Sequence, residues 1–384
     1  MNKNNIAIVI VAYCREKSLA RLLESVSKAY IDNGTTLIIS IDKSNNPLVT
    51  EYAKTFEWKY GEKRVISHPK NLGLKKHILS CGNYLDEFDA IIVLEDDLVV
   101  SEGFFNYSKL AVKKYQDNDN IAGISLYSFH INPHSLYPFF PDKNEYDNYF
   151  IQYAPSWGQV WMKKQWAEFK KWLKNNEADI FDLPHLPINI SKWGKKSWLK
   201  YHIKFAIETN RYFVYPYFAF SGACGDAGEN TNENSSYYQV VLYHGTCSSF
   251  RFDPFTDFSI IYDSSFERKL QIEGYEDLCI DLNGTKNNRN HNQYWLTTTA
   301  QPFKICKSYK LIYKPIEANI SEDNKGSDIF LYDTSIHSKR PKVSYKTKLY
   351  LSDTFYMYLR IYQFGLYNII KEIFNYILKK TKQH

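Results

Sequence analysis

Ala90-Ile91-Ile92-Val93-Leu94-Glu95-Asp96-Asp97-Leu98-Val99-Val100 is the stretch from which the rest of this chain is read. A short apolar run rich in β-branched residues and bounded by polar sequence has the pattern of a buried strand in a parallel sheet. Three acids close the run. In open α/β sheets ligands bind at the carboxyl ends of the strands. Adjacent carboxylates there repel one another, and desolvating them is costly unless a cation compensates. Hard ions such as Mg²⁺ and Mn²⁺ take oxygen ligands, usually one or two carboxylates plus substrate phosphates. The trio therefore reads as a metal–diphosphate site. The alternative is a solvated acidic turn after a core strand.

Working outward, the first 130 residues alternate between two periodicities. Residues 6–13 read as a strand, followed by a helix with Ser18 as its cap and Leu19, Leu22, Leu23 and Val26 at helical spacing. Residues 36–41 form a second strand ending at Asp42, 49–58 a helix and 64–67 a short strand. A helix over 74–85 follows the turn Asn71-Leu72-Gly73, and 90–94 is the fourth strand. Such alternation implies a parallel sheet joined by right-handed βαβ crossovers, an α/β fold. Neither G-x-G-x-x-G nor G-x-x-x-x-G-K-[ST] occurs, so any phosphate is held by other means.

Further along the pattern loosens. Residues 127–147 read as a long loop, 157–172 as a turn and helix carrying four tryptophans, 193–210 as a helix and 212–220 as a strand. The small residues of Ser221-Gly222-Ala223-Cys224-Gly225-Asp226-Ala227-Gly228-Glu229 suit a loop pressed against a ligand, or a plain connector. Short strands are expected at 258–262, 278–282, 294–298 and 310–313. The tail, 345–380, is aromatic and basic. Its charges make it a poor spanning helix, leaving a membrane-interface helix or a packed terminal one.

At 384 residues, 44% hydrophobic and 23% charged, the chain has the composition of a soluble globular protein with an ample core. The 17% aromatic content lends slight weight to carbohydrate contact. The net charge of +6 gathers at 163–204 and in the tail, without an arginine-rich arm or zinc finger. Nucleic acid is therefore not the expected partner, whereas a phosphate-bearing substrate or an anionic membrane face suits the pattern. Six scattered cysteines without a C-x-x-C pair argue against zinc and against a disulfide framework, and point to a reducing compartment. The first apolar run is strand-length and leads into charge, so no signal peptide is expected and the N-x-S/T triplets carry no glycan.

Four motifs in order carry a family resemblance: Val9-Ile10-Val11-Ala12-Tyr13-Cys14-Arg15, Ser40-Ile41-Asp42, Asn71-Leu72-Gly73 with His77, and Val93-Leu94-Glu95-Asp96-Asp97-Leu98. Together they resemble the nucleotide-sugar half of the GT-A glycosyltransferases, whose hallmark is D-x-D. The E-D-D form followed by Phe104-Phe105 is most similar to the N-acetylglucosaminyltransferase that begins complex N-glycan branching, and to bacterial surface-polysaccharide transferases. Pro155-Ser156-Trp157-Gly158, Trp161 and Trp166 resemble that family's acceptor side.

The resemblance implies a GT-A fold, with a Rossmann-like, mostly parallel sheet, flanking helices and a C-terminal extension. Its divisions would be a nucleotide-sugar half at 1–130, an acceptor half at 131–250, an accessory β-containing region at 251–338 and a helical tail at 339–384. It implies that Arg15 contacts the nucleotide, Asp42 accepts from uracil N3–H and His77 helps to hold diphosphate or nucleoside. It further implies that Asp97 ligates Mn²⁺ or Mg²⁺, Asp96 bonds ribose or sugar, Glu95 supports from behind, and Trp157 and Trp161 lie on the acceptor side.

The base is where the chain departs from the family. The family places an aspartate after a tryptophan, but Ser191-Lys192-Trp193-Gly194-Lys195-Lys196-Ser197-Trp198 has no acid. Asp182, Asp226 and Glu229 are the nearest acids; Asp226 is the first choice for the base and Glu229 the alternative. The expectation is an inverting, metal-dependent transfer from a UDP-sugar to a glycan or lipid-linked glycan in capsule, O-antigen or related synthesis. It would take place in the bacterial cytoplasm, where the tail is suited to peripheral contact with the inner membrane. A nucleotidyltransferase is disfavoured by the absence of glycine after the first strand. A non-catalytic, carbohydrate-binding or scaffold domain stays open because the base is unassigned.

Overall fold

A computed structural model describes residues 5–176, 186–226, 236–286 and 292–352, together with 365–368, 370, 371 and 374. Its described elements are the strands β1 Ile6–Ala12, β2 Leu37–Ile41, β3 Lys63–Ser67, β4 Ala90–Glu95, β5 Leu98–Val100, β6 Ile121–Ser125, β7 Asn148–Ile151, β8 Gln159–Met162, β9 Tyr212–Pro216, β10 Ser221–Ala223, β11 Ile261–Tyr262, β12 Leu278–Asp281, β13 Tyr294–Thr297, β14 Phe303–Tyr309 and β15 Ile329–His337. The helices are α1 Glu16–Lys28, α2 Leu48–Thr55, α3 Leu74–Cys81, α4 Phe104–Tyr115, α5 Lys163–Asn175, α6 Ile188–Ser191, α7 Leu199–Glu208, α8 Ala318–Ser321 and α9 Tyr345–Ser352. A 3₁₀ turn, Gly82–Asp86, extends α3.

The chain divides into two compact units. The first comprises Met1–His130, Pro141–Ile272 and Thr285–Asn290; the second comprises Ile131–Phe140, Glu273–Gly284 and His291–His384.

The first unit is built on a sheet of order β11-β7-β9-β6-β8-β4-β1-β2-β3. β3, β2, β1 and β4 are mutually parallel. Every residue of β1 and β2 is buried, as continuous Ile, Val and Leu runs require when both faces of a sheet are covered. α1 lays Leu19, Leu22, Leu23 and Val26 into that core, each fully buried. Burial of each such side chain is worth about 1.5–3 kcal/mol. β8 runs antiparallel to both β4 and β6, so the sheet is mixed. Outside it, β5 and β10 pair antiparallel, Val100 opposite Ser221 and Leu98 opposite Ala223.

The α/β reading holds, with differences in detail. Ser18 does not cap α1: the helix starts at Glu16 after Arg15, and the Ser18 hydroxyl bonds elsewhere. The stretch 157–172 contains β8 before its helix, because Gln159-Val160-Trp161-Met162 is enclosed on both faces and shows no alternation. The strand expected at 258–262 is confined to Ile261–Tyr262, and that expected at 212–220 ends at Pro216.

The second unit holds a sheet of order β12-β13-β15-β14. The strand expected at 310–313 is absent. β14 precedes it, and the amides of Ile312 and Tyr313 instead donate to Asn319 Oδ1, each at 2.8 Å. Of the tail, α9 and the separate residues noted above are described, and the rest of 353–384 lies outside the described residues.

Candidate active site

Register brings the predicted site together. Ala12 pairs with Ile41 and Val11 with Glu95, so β1, β2 and β4 end level. Tyr13–Arg15, Asp42 and Asp96–Asp97 therefore emerge along one edge. The strand order reverses between β1 and β4, the crevice where ligands bind in open α/β sheets.

At that crevice Asp96 is buried and its carboxylate is committed. Oδ1 accepts from Arg15 Nη2 at 2.5 Å, and Oδ2 accepts from the Tyr13 amide at 3.3 Å. The same Nη2 lies 3.1 Å from Asp97 Oδ2, and the Asp97 side chain is 32% exposed against 4% for Asp96. The Asp97 carbonyl accepts from the Cys224 amide at 3.0 Å, tying the acidic turn to the end of β10.

Electrostatics follow from crowding. Burial, then Asp97 and Asp96, push the Glu95 carboxyl up to about 8, with Arg15 opposing. Burial raises Asp96 to about 6, with Arg15 again opposing and Asp97 adding to the rise. Burial pulls Arg15 down, but Asp96 and Asp97 more than reverse it and fix the guanidinium as a cation. With Glu95 held largely protonated, one arginine faces the two aspartates and leaves the turn short of positive charge.

Among the described residues no three His, Cys, Asp or Glu side chains form a metal cage. A hard cation beside Asp97 would instead complete its shell with phosphate oxygens and water, the usual arrangement for Mg²⁺. Asp97, with its open side, fits that role. Asp96, enclosed and already paired, fits the role of orienting Arg15.

Asp42 is a fastener. Oδ1 accepts from the amides of Lys43 at 2.9 Å and Leu72 at 2.8 Å, and Oδ2 accepts from Gly73 at 3.0 Å. Gly73, at φ 75°, supplies the left-handed residue that lets Asn71-Leu72-Gly73 wrap this carboxylate before α3. Three of roughly four acceptor positions are thus filled.

His77 turns inward. Its Nε2 lies 2.8 Å from Ser40 Oγ, which also meets His68 Nε2 at 3.2 Å. Burial, reinforced by His68 and opposed by Asp42, holds its pKa down to about 4. The expected diphosphate contact meets a neutral ring, 3% exposed, that braces β2 against α3.

Asp226, just beyond β10, is ion-paired to Arg21 of α1 and accepts from Ser18 Oγ at 3.0 Å. The Arg21 bond holds its carboxyl below the usual range against the opposing effect of burial. Arg21 escaped the sequence reading, and Ser18 was read there only as a helix cap. Their one signal is an i, i+3 spacing on a helix. Asp182 and Glu229 lie outside the described residues.

Trp157 is half-buried among Tyr127, at 4.6 Å between ring centroids, and Tyr238, at 4.9 Å. Its carbonyl accepts from Ser221 Oγ of β10 at 2.5 Å. Trp161 is a correction: it is 1% exposed and stacked on Trp166 at 4.0 Å, so its ring fills the core and offers no face to an acceptor.

Residues 7–160 match the family model described as Glycosyl transferase family 2. No curated protein matches the chain in sequence. Among solved structures, the chain is similar to residues 1–349 of TarS from S. aureus. The identity there is 12%, covering 58% of this chain and 61% of that one, with a TM-score of 0.36. It is similar to GalNAc-T7, solved with UDP, GalNAc and Mn²⁺, at 12% identity over 56% and 43%, with a TM-score of 0.38. It is also similar to the mannosyltransferase PcManGT from Pyrobaculum calidifontis, solved with GDP-Man and Mn²⁺, at 9% identity over 56% and 55%, with a TM-score of 0.35. The chain spans less than two thirds of the length of each of these. Strand order and the family match agree on a mixed α/β sheet of GT-A type, in which residues 7–160 form the segment that matches the glycosyl transferase family 2 model.

Proposed function

We propose that the chain transfers a sugar from a UDP-sugar to a glycan acceptor, with inversion and with Mn²⁺ or Mg²⁺, in the assembly of a bacterial surface polysaccharide. The observation that carries this reading is the Arg15 guanidinium set between Asp96 and Asp97 at the level ends of β1 and β4. In this reading Asp97 faces the cation and Arg15 pairs with diphosphate oxygens, a bidentate partner for phosphate. Asp42 keeps one acceptor position for the base of the nucleotide while clamping the loop beneath it. Asp96 and Glu95 set the orientation and charge of the pair. The chemistry that a divalent ion supplies when bound is neutralisation of charge on the departing diphosphate.

Titration calorimetry with UDP and Mn²⁺ tests the reading. Asp97→Ala is expected to weaken UDP by about tenfold or more, a loss of at least about 1.4 kcal/mol. Unchanged affinity removes the basis of the proposal.

A second reading is a nucleotide-sugar-binding domain that does not turn over. It draws support from Asp226, whose carboxylate is taken up by Arg21 and Ser18. Release of UDP from a panel of UDP-sugars, with and without EDTA, separates the two. No metal-dependent release from any donor favours the binding domain.

For location, we propose the cytoplasmic side of the inner membrane. Leu366, Ile370 and Phe374 are exposed at intervals of one helical turn, with Tyr367 beside them. Among the described residues no helix is long and apolar enough to cross a membrane. Co-sedimentation with anionic vesicles is expected for the full chain, and not after Leu366, Ile370 and Phe374 are all replaced by serine.

A further inference from the structure

The acidic turn already contains a cation of its own. One nitrogen, Arg15 Nη2, lies 2.5 Å from Asp96 Oδ1 and 3.1 Å from Asp97 Oδ2. Asp96 is nearly sealed from solvent, so this guanidinium is its charge compensation. Asp97 is the more open of the two, and the Arg15 nitrogen that it shares with Asp96 lies against its Oδ2.

We infer that Arg15 is a resident counter-cation that competes with the divalent metal for Asp97 until a nucleoside diphosphate draws it away. The inference rests on the donor-site reading above and adds an order of events to it. A metal arriving alone meets a carboxylate already paired, with a fixed positive charge beside it. A diphosphate offers the guanidinium a planar set of oxygens, a geometry that arginine matches with two parallel bonds. Turning toward those oxygens, Arg15 keeps its hold on Asp96 and uncovers Asp97. Metal and nucleotide then enter as a coupled pair, and by linkage each raises the affinity of the other by the same factor.

The test reads metal binding, not turnover. Free Mn²⁺ is titrated by electron paramagnetic resonance against the full chain, without nucleotide and then with saturating UDP. Wild type is expected to hold Mn²⁺ weakly alone and at least about tenfold more tightly with UDP. Arg15→Met is expected to bind Mn²⁺ alone about tenfold more tightly than wild type, because nothing then covers Asp97. Arg15→Lys keeps a charge beside buried Asp96, but its single ammonium cannot reproduce the fork. It is expected to fall between the two, and it carries the test should Arg15→Met fail to fold.

Arg15→Met with wild-type affinity for Mn²⁺ alone overturns the inference. So does Arg15→Lys indistinguishable from wild type beside a tighter Arg15→Met, since charge without the bridging contact would then suffice. A wild type that binds UDP with Mn²⁺ keeps the donor-site reading standing through either of those results. A wild type that binds neither overturns that reading and the inference together.

Discussion

Asp226 concentrates the chemistry that the sequence left open. An inverting transfer needs a carboxylate to take the acceptor's proton, yet this one is clasped by Arg21 and Ser18 and held at low basicity by the arginine. If the ion pair opens when substrates bind, Asp226→Asn lowers kcat by about 100-fold or more while UDP affinity stays at the wild-type level. Arg21→Ala then raises the Asp226 pKa, and the acid limb of the kcat–pH profile moves to higher pH. A near-normal kcat for Asp226→Asn assigns the residue to holding the end of β10 against α1. The pairing joins positions 205 residues apart, and no local pattern announces it. The position of Asp42 and of the acidic turn at strand ends was legible because each follows an apolar strand run, β2 and β4 respectively. The inward turn of His77, on α3, was not, because the oxygen that draws it belongs to Ser40 of β2.

Among the elements, those with a single clear period were the readable ones. β1, β2 and β4 are unbroken apolar runs, and α1 repeats its leucines at helical spacing. β8 eluded the reading because four residues buried on both faces have no period to show. The joint between α3 and α5 shows how exact the packing behind that strand is. A Cβ placed on Gly82 would lie 2.0 Å from Trp166 Cε2, and Trp166 is itself stacked on Trp161. Gly82→Ala must displace a buried indole, and overpacking of this kind costs about 1–3 kcal/mol. A fall in the melting temperature by several degrees, read by circular dichroism, is the expected outcome. An unchanged melting temperature would mean that the Trp stack yields at no cost.

At the scale of the molecule, protonation sets the acid limit of stability. His202 of α7 is wholly buried, stacked on Phe169 at 4.4 Å and edge-on to Phe213, and its Nδ1 has no hydrogen-bond partner among the described residues. Burial holds its pKa down to about 3. The unfolded chain takes up that proton near pH 6.5 and the folded one resists it. Stability is therefore whole above about pH 6.5 and declines as the pH falls toward the folded value, by about 1.4 kcal/mol per pH unit. His202→Phe removes the titration and the unpartnered nitrogen together. In urea unfolding at pH 7 and pH 5, wild type is expected to lose about 2 kcal/mol more than this variant does. Equal losses would place the acid sensitivity elsewhere.

The small ribbon of β5 and β10 has a temporal meaning as well as a spatial one. The acidic turn after β4 is held from one side by the Tyr13 amide and the Arg15 guanidinium, both early in the chain, and from the other only once Ala223 has been synthesised and laid against Leu98. Folding at the acidic turn is thus finished only when a segment far downstream is laid against β5.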